Sequence, residues 1–256
     1  MKKNNPKISI ITVTYNSEKF LVDCLNSVAL QDYTNIEHII IDGKSTDGTL
    51  SILKSRVNQF SHLISERDQG IYDAMNKGIS LANGDIICFL NSDDVFFNNS
   101  IISRVAEIFK NNYKLQACHA DSQFVDRAKI FKAIKRSKYK NSITENFFRE
   151  WLPEHTTFFV RRSVYEKFGK FDLNYKIASD MELMMRFMKI HKIKTQYFSE
   201  IWTNVRIGGR SNRYFFKTLS ETKNIMIKYG YPKINVYFNF YFSTLKSIIK
   251  FFLKKN

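Results

Sequence analysis

Three short apolar segments in the first hundred residues lack the alternating pattern of a half-exposed strand. They are Ile8 to Val13, Ile36 to Ile41 and Asp85 to Leu90. Between them, apolar residues recur at helical spacing, over residues 20–28 and again over 72–81. Continuous apolar strands that alternate with helices are typical of a parallel sheet covered on both faces. The sequence therefore predicts an α/β, Rossmann-like fold with a mostly parallel sheet flanked by helices.

Polar residues follow each of these predicted strands. Tyr15 and Asn16 come after the first, Asp42 ends the second, and Asp93 and Asp94 come shortly after the third. In open α/β sheets, ligands bind outside the carboxyl ends of the strands. The sequence has neither the G-x-G-x-x-G dinucleotide fingerprint nor the P-loop motif, so these two classes of phosphate-binding protein are not supported.

The chain is strongly basic, with 40 Lys and Arg against 24 Asp and Glu and a formal charge of +16. Such a surplus favours a polyanionic partner, such as nucleic acid, anionic lipid or a phosphorylated substrate. Residues 201–256 contain eleven basic residues and one acid, Glu221. A second run, from Arg127 to Lys140, has seven basic residues and no acid.

The cysteines and the apolar segments indicate a cytoplasmic location. Cys24, Cys88 and Cys118 are widely spaced and form no disulfide or metal-binding pattern. The apolar segment near the N-terminus has the length of a strand and not that of a signal peptide. No stretch of about 18 uncharged apolar residues predicts a transmembrane helix.

The acidic pair Asp93 and Asp94 follows a predicted strand directly behind Asn91 and Ser92. Carboxylates at a strand end suit a hard cation such as Mg²⁺ or Mn²⁺, which would stabilise a departing diphosphate. Alternatively, these residues cap the helix expected near residues 98–109.

Four segments in this order resemble the motifs of family 2 glycosyltransferases with the GT-A fold. They are Ile11 to Asn16 (ITVTYN), Ile41 to Thr49 (IDGKSTDGT), Ser65 to Gly78 (SERDQGIYDAMNKG) and Leu90 to Asp94 (LNSDD). The resemblance extends from about Lys7 to about Ser211.

This resemblance implies that Asp42 contacts the nucleobase, that Asp68 contacts the nucleoside, and that Asp93 completes a metal motif shared with Asp94. The cofactor is then Mn²⁺ or Mg²⁺. Two positions depart from the family pattern, because Gly43 and Asn91 stand where aspartates are often found. The full set of implied donor contacts is Thr14, Tyr15, Asn16, Asp42, Asp68, Asn76, Asn91 and Ser92.

The second half resembles the family's acceptor half over residues 154–162, 169–172 and 178–183. Asp180 matches the general base, which would take the acceptor hydroxyl proton in an inverting displacement. A purely structural alternative is an acidic residue at a helix N-terminus. Phosphate or acceptor contacts are expected from His155, Arg210 and Ser211, and structural roles from Asp121 and Asp172.

The sequence divides into a glycosyltransferase domain, residues 1–215, and a basic aromatic helical tail, residues 216–256. The domain comprises a nucleotide-sugar half (1–115) and an acceptor half (116–215). From Tyr231 onward, Asn235, Asn239, Ser243 and Ser247 trace a polar stripe on an otherwise apolar helix. Such a helix suits a membrane surface or a partner groove, and the alternative is a helix folded back on the domain.

The expected function is sugar transfer from a nucleoside diphosphate, with UDP as the first candidate, in bacterial surface-glycan assembly. The expected acceptor is a saccharide or a polyprenyl-linked saccharide at the inner face of the cell membrane, where the protein would be peripheral. Two alternatives remain, a catalytically silent scaffold that binds nucleotide-sugar and a basic nucleic-acid-binding protein, although no nucleic-acid partner is expected. An oligomer is left open.

Overall fold

The computed structural model describes residues 5–137, 152–208, 214–234 and 236–237. The strands in these ranges are β1 (Ile8–Thr14), β2 (Ile36–Asp42), β3 (His62–Ser65), β4 (Ile86–Phe89), β5 (Val95–Phe96), β6 (Ala117–Val125), β7 (Ala133–Ser137), β8 (Phe159–Arg161) and β9 (Thr195–Arg206). The α-helices are α1 (Leu21–Ala29), α2 (Thr49–Lys54), α3 (Ile71–Leu81), α4 (Ile101–Asn111), α5 (Arg162–Phe168), α6 (Ser179–Met185) and α7 (Phe215–Lys228).

The described strands form one sheet with the order β3-β2-β1-β4-β8-β6-β9-β5, and β7 pairs with β6 beside this path. Strands β1 to β4 are mutually parallel, and β9 is parallel to β6. Strand β8 runs antiparallel to both β4 and β6, and β5 and β7 are also antiparallel to their neighbours. The prediction of a mostly parallel sheet is therefore confirmed.

The register of the first three strands brings their carboxyl ends together. Thr14 is paired with Asp42, and Asp42 with Ser65. Each loop that follows these strands consequently starts at the same edge of the sheet, which is the edge where the sequence analysis places the site.

Both faces of β1 are buried, which explains why its sequence does not alternate. Ile11 and Val13 belong to an apolar cluster with Met75 of α3. Ile8 and Ile10 belong to another cluster, on the opposite face, with α1 and α4. The three cysteines are buried and free, as small core residues.

Helix α7 begins at the domain boundary that the sequence predicts after residue 215. Helix α7 packs on α6 through an apolar cluster that includes Met181, Met185, Ile225 and Met226. Residues 215–228 thus contact the acceptor half, and the predicted division into domain and tail stays a prediction. The predicted stripe at Asn235, Asn239, Ser243 and Ser247 lies outside the described residues. In the part of the chain that is described, no helix has the length and apolar character needed to span a membrane.

Gly78 sets the distance between α3 and the centre of the sheet. A Cβ atom at this position would lie 2.4 Å from Cγ2 of Ile11, which is fully buried in β1. Because Ile11 is β-branched and packed on all sides, it has little freedom to move away.

We expect Gly78→Ala to destabilise the protein by about 1–3 kcal/mol through overpacking, despite the better helix propensity of alanine. Urea unfolding measures the change. In an Ile11→Ala background the same substitution should be much less destabilising, because Cγ2 is absent. A Gly78→Ala variant more stable than the parent would contradict the packing described.

Candidate active site

Asp42 organises the loop that follows β2. Its fully buried carboxylate accepts hydrogen bonds from Thr14 Oγ1 (3.0 Å), Ser65 Oγ (2.6 Å) and the backbone N of Ser45 (3.0 Å). The Ser45 hydroxyl also donates to it. Both carboxylate oxygens are thus occupied by protein donors. The nucleobase contact expected of Asp42 stays a prediction, and it requires a base donor to replace one of these groups.

Tyr15 and Asp68 line the open side of the same edge. The Tyr15 side chain is 62% exposed. Asp68 is half-buried and accepts a hydrogen bond from Gly70 N at 2.8 Å. A Cβ atom at Gly43 would lie 2.4 Å from Asp68 Oδ2 and 3.4 Å from the Tyr15 ring. The glycine at this position therefore makes room for the Asp68 carboxylate, which explains the departure from the family pattern.

Two of the predicted donor contacts have structural roles. Asn16 adopts φ of 50° and accepts a hydrogen bond from Thr46 N (2.9 Å), which closes the loop after β2. The Asn76 amide donates to Phe171 O and accepts from Phe171 N, both at 2.9 Å. Both ends of the amide thus hold residue 171, and the nucleotide contact expected of Asn76 stays a prediction.

The neighbouring acids Asp93 and Asp94 occupy different environments. Asp94 is 2% exposed and accepts hydrogen bonds from Arg206 N (3.0 Å) and Asn91 Nδ2 (2.9 Å). Burial raises the pKa of Asp94 well above its usual range, and the charge of Asp93 raises it further. The Asp93 carboxylate is half-buried and has no partner among the described residues. Ser92, beside it, shares a 2.8 Å hydrogen bond with Ser17.

The two carboxylates differ in how well they suit a divalent cation. In the described ranges, there is no cluster of three or more His, Cys, Asp or Glu side chains that could hold a metal ion. Mg²⁺ and Mn²⁺ in phosphate sites need only one or two carboxylates, because water and substrate phosphates complete the coordination. Asp93 fits this requirement. Each Asp94 oxygen accepts a hydrogen bond from the protein, and the expected role of Asp94 as a second ligand stays a prediction.

Arg206, at the end of β9, contacts the loop after β4 that carries Asp93. Sequence reasoning did not predict this residue. Its guanidinium donates to Asp93 O (2.5 Å) and to the Asp23 carboxylate, and it lies 4.6 Å from the centre of the Phe20 ring. The side chain is buried, and its Nε has no partner in the described part of the chain. The only sequence signal was an arginine that ends a strand-like segment.

A chain of polar contacts joins this loop to Asp180. The Asn91 amide nitrogen donates a hydrogen bond to Asp94. The Asn91 amide oxygen lies 3.1 Å from His155 Nε2, within hydrogen-bond distance. His155 Nδ1 lies 3.6 Å from Asp180 Oδ2, an ion-pair distance. Because Asn91 Oδ1 can only accept, His155 Nε2 is the donor in this hydrogen bond. An aspartate at residue 91 could not donate to Asp94, which explains why this chain has asparagine where the family often has aspartate.

Tyr72 completes the surroundings of Asp180 and was not predicted as a site residue. Its hydroxyl lies 2.9 Å from Asp180 Oδ1 and 2.7 Å from Ile177 O. Burial raises the pKa of Tyr72 well above its usual value, and the Asp180 charge raises it further, so the hydroxyl stays a donor. The Asp180 side chain remains 28% exposed and can be reached from solvent.

Glu221 of α7 supports the segment that precedes Asp180. Its carboxylate accepts hydrogen bonds from the backbone N of Lys176 (3.0 Å), Ile177 (2.8 Å) and Ala178 (3.0 Å). The lone acid of the basic C-terminal region thus positions the first turn of α6, which carries Asp180.

The remaining predicted residues lie apart from this cluster. Arg210 and Ser211 are outside the described residues. Asp121 is buried and paired with Arg136 at 2.6 Å, and Asp172 lies 3.6 Å from Lys228 Nζ. The expected structural roles of Asp121 and Asp172 agree with these contacts.

A family model described as glycosyl transferase family 2 matches residues 9–169, which is more than half of the chain. The chain therefore belongs to glycosyl transferase family 2, and the predicted class of enzyme is confirmed.

Two mycobacterial relatives agree with this assignment. A PGL/p-HBAD biosynthesis glycosyltransferase of Mycobacterium bovis is 29% identical over 240 residues, which cover 87% of this chain and 88% of the relative. An uncharacterized glycosyltransferase of Mycobacterium tuberculosis is 31% identical over 182 residues, covering 71% of this chain and 68% of the relative.

Solved structures share the fold. S. aureus TarS 1–349 in complex with UDP has a TM-score of 0.65 at 20% identity, covering 90% of this chain and 68% of that chain. This chain spans 41% of a longer TarS chain. The mannosyltransferase PcManGT of Pyrobaculum calidifontis, in complex with GDP-Man and Mn²⁺, has a TM-score of 0.67 at 16% identity. The match covers 93% of this chain and 70% of that chain. The predicted GT-A fold is confirmed.

We expect Asn91→Asp to lower the free energy of unfolding by about 1–3 kcal/mol at pH 7.5, because it removes the donor to Asp94 and adds a like charge. Like-charge repulsion raises an acid's pKa in the folded state, so this part of the loss should fade as the pH falls toward 5.

Asn91→Ala is the matched control, since it removes the same donor without adding a charge. Urea unfolding at both pH values should show a shrinking difference between the two variants at the lower pH. An Asn91→Asp variant as stable as the parent at pH 7.5 would contradict the role assigned to the amide.

Proposed function

We propose that this protein transfers a sugar, with inversion, from a nucleoside diphosphate donor to a saccharide or polyprenyl-linked saccharide in bacterial surface-glycan assembly. The observation that carries the proposal is the chain of contacts from Asp94 through Asn91 and His155 to Asp180. It links the donor edge of the sheet to a carboxylate that can take a proton, as a displacement at the anomeric carbon requires.

The nucleoside is bound between Tyr15 and Asp68 in this proposal. An exposed aromatic ring can stack on a base, and a neighbouring carboxylate can accept hydrogen bonds from ribose hydroxyls. Structures of TarS contain UDP and UDP-GlcNAc, and the PcManGT structure contains GDP-Man. These complexes support a nucleotide-sugar donor, and UDP is our first candidate.

Asp93 is the residue that would hold Mg²⁺ or Mn²⁺ beside the diphosphate, as its carboxylate has no partner among the described residues. The cation, when bound, supplies Lewis-acid stabilisation of the departing diphosphate. Arg206 keeps Asp93 in place through its backbone carbonyl. Arg210 and Ser211 remain our candidates for contacts to phosphate or acceptor.

Asp180 is the proposed general base. Its carboxylate removes the proton from the acceptor hydroxyl as that oxygen attacks the anomeric carbon on the face opposite the diphosphate. Tyr72 holds one carboxylate oxygen by a hydrogen bond, and His155 faces the other. These two side chains fix the orientation of the base before the acceptor arrives.

The biological setting follows from the relatives and the charge. A relative named for PGL/p-HBAD biosynthesis supports a biosynthetic role. We propose a cytoplasmic protein that is peripheral on the inner face of the membrane, with a C-terminal tail contact beyond residue 237. The scaffold alternative was motivated by Gly43 and Asn91, and both residues have local structural explanations.

A panel of nucleotide-sugars with Mn²⁺ or Mg²⁺ and a membrane extract, followed by product mass, identifies the donor and acceptor. With the donor and acceptor so identified, we expect Asp180→Asn to lower the transfer rate by roughly 10²–10⁴-fold. UDP binding, measured by calorimetry, should be retained. Asp93→Asn should raise the metal concentration needed for half-maximal rate by at least about tenfold.

Asp32→Asn serves as the control, because Asp32 is exposed on the loop after α1 and takes no part in the site. Transfer by Asp180→Asn at the parental rate would require a different base. An unchanged metal response in Asp93→Asn would remove Asp93 as the ligand.

A further inference from the structure

The tip of the β6–β7 hairpin, residues 126–135, carries exposed apolar and basic side chains together. Phe131 is 87% exposed and Ile134 is 52% exposed. Arg127, Lys129, Lys132 and Lys135 are also exposed. Large apolar side chains in such positions do not stabilise the fold, since they bury little surface within it.

The one acid at this tip, Asp126, is held within the turn by hydrogen bonds. Asp126 accepts hydrogen bonds from the backbone N of Ala128 (2.9 Å) and Lys129 (3.1 Å), which close the turn. Arg136, further along β7, is used by the buried Asp121. The four exposed cationic side chains of the tip therefore outnumber its single acid.

The base of the hairpin tip contacts the loop network of the active site. Arg127 donates to Ile207 O (3.2 Å) and lies 5.0 Å from the centre of the Phe20 ring. Arg206 lies on the same ring and also donates to Asp93 O. A surface that binds the hairpin tip is consequently held next to the loop that carries Asp93.

We propose that the hairpin tip is a membrane-binding element that inserts Phe131 and Ile134 among the headgroups of an anionic bilayer. Arg127, Lys129, Lys132 and Lys135 hold it there by charge. Apolar side chains flanked by lysines are the combination that favours a charged lipid interface over an aqueous or a purely polar polyanionic partner. This contact is separate from the tail contact, and vesicle binding requires no sugar transfer.

The test uses the full chain and sedimentation with vesicles of phosphatidylcholine alone or with an equal part of phosphatidylglycerol. The parent should bind only the anionic vesicles. Phe131→Ser with Ile134→Ser should weaken binding by at least about tenfold, since two apolar side chains no longer insert. Replacing Lys129, Lys132 and Lys135 by glutamine should weaken it by about fivefold per lysine.

The matched control is Tyr113→Ser with Lys114→Gln, because Tyr113 is another highly exposed aromatic residue (78%) beside a lysine. This variant should bind as the parent does. In Phe131→Trp, the tryptophan fluorescence should shift to the blue on anionic vesicles and be quenched by brominated lipid.

Three results would overturn the proposal. They are parental vesicle binding by both hairpin variants, an equal loss in the Tyr113 control, and tight binding of a random oligonucleotide that depends on the lysines and not on Phe131. UDP binding by every variant is measured in parallel, so a failure of the proposed function is seen separately from a failure of membrane binding.

Discussion

The parallel pairing of β1 with β2 and β4 is the constraint on which the rest of the structure depends. It brings Thr14, Asp42 and the loop after β4 to one edge of the sheet. Parallel strands must be joined by crossovers, so helices cover both faces and only the strand ends remain open for a ligand. Every functional side chain identified in this protein is attached to that edge or is brought to it by a second element.

The site is largely a solution to the problem of placing several carboxylates close together. Asp42 accepts hydrogen bonds from hydroxyl and amide donors, and Asp94 accepts them from Asn91 and the backbone of Arg206. Asp180 is contacted by Tyr72 and His155. An unpaired buried carboxylate would be strongly destabilising, so each of these acids has partners. Within the described ranges Asp93 is the exception, and its half-buried carboxylate is the one proposed to hold a cation.

Sequence reasoning reached the features that are encoded locally. The strands β1, β2 and β4, the helix α3 and the loops with Asp42, Asp68 and Asp93 each lie within a short motif. It missed Arg206, Tyr72 as a partner of Asp180, and the role of Glu221, because each acts across a large separation in sequence. It also did not foresee the protein partners of Asp94 and Asn76, two residues for which ligand contacts are predicted. Side-chain pairing of this kind depends on packing that periodicity does not encode.

Helix α7 shows how a segment outside the family-model match can still determine the chemistry. Met226 and Ile225 fix the helix on α6, and Glu221 then accepts three backbone hydrogen bonds from the segment before Asp180. The Tyr72 hydroxyl donates a hydrogen bond to Ile177 O in the same segment. This segment therefore orients both Asp180 and Tyr72. The position of Asp180 is thus linked physically to the C-terminal region of the chain. Displacement of α7 would release the first turn of α6, and the proposed base would lose its fixed orientation.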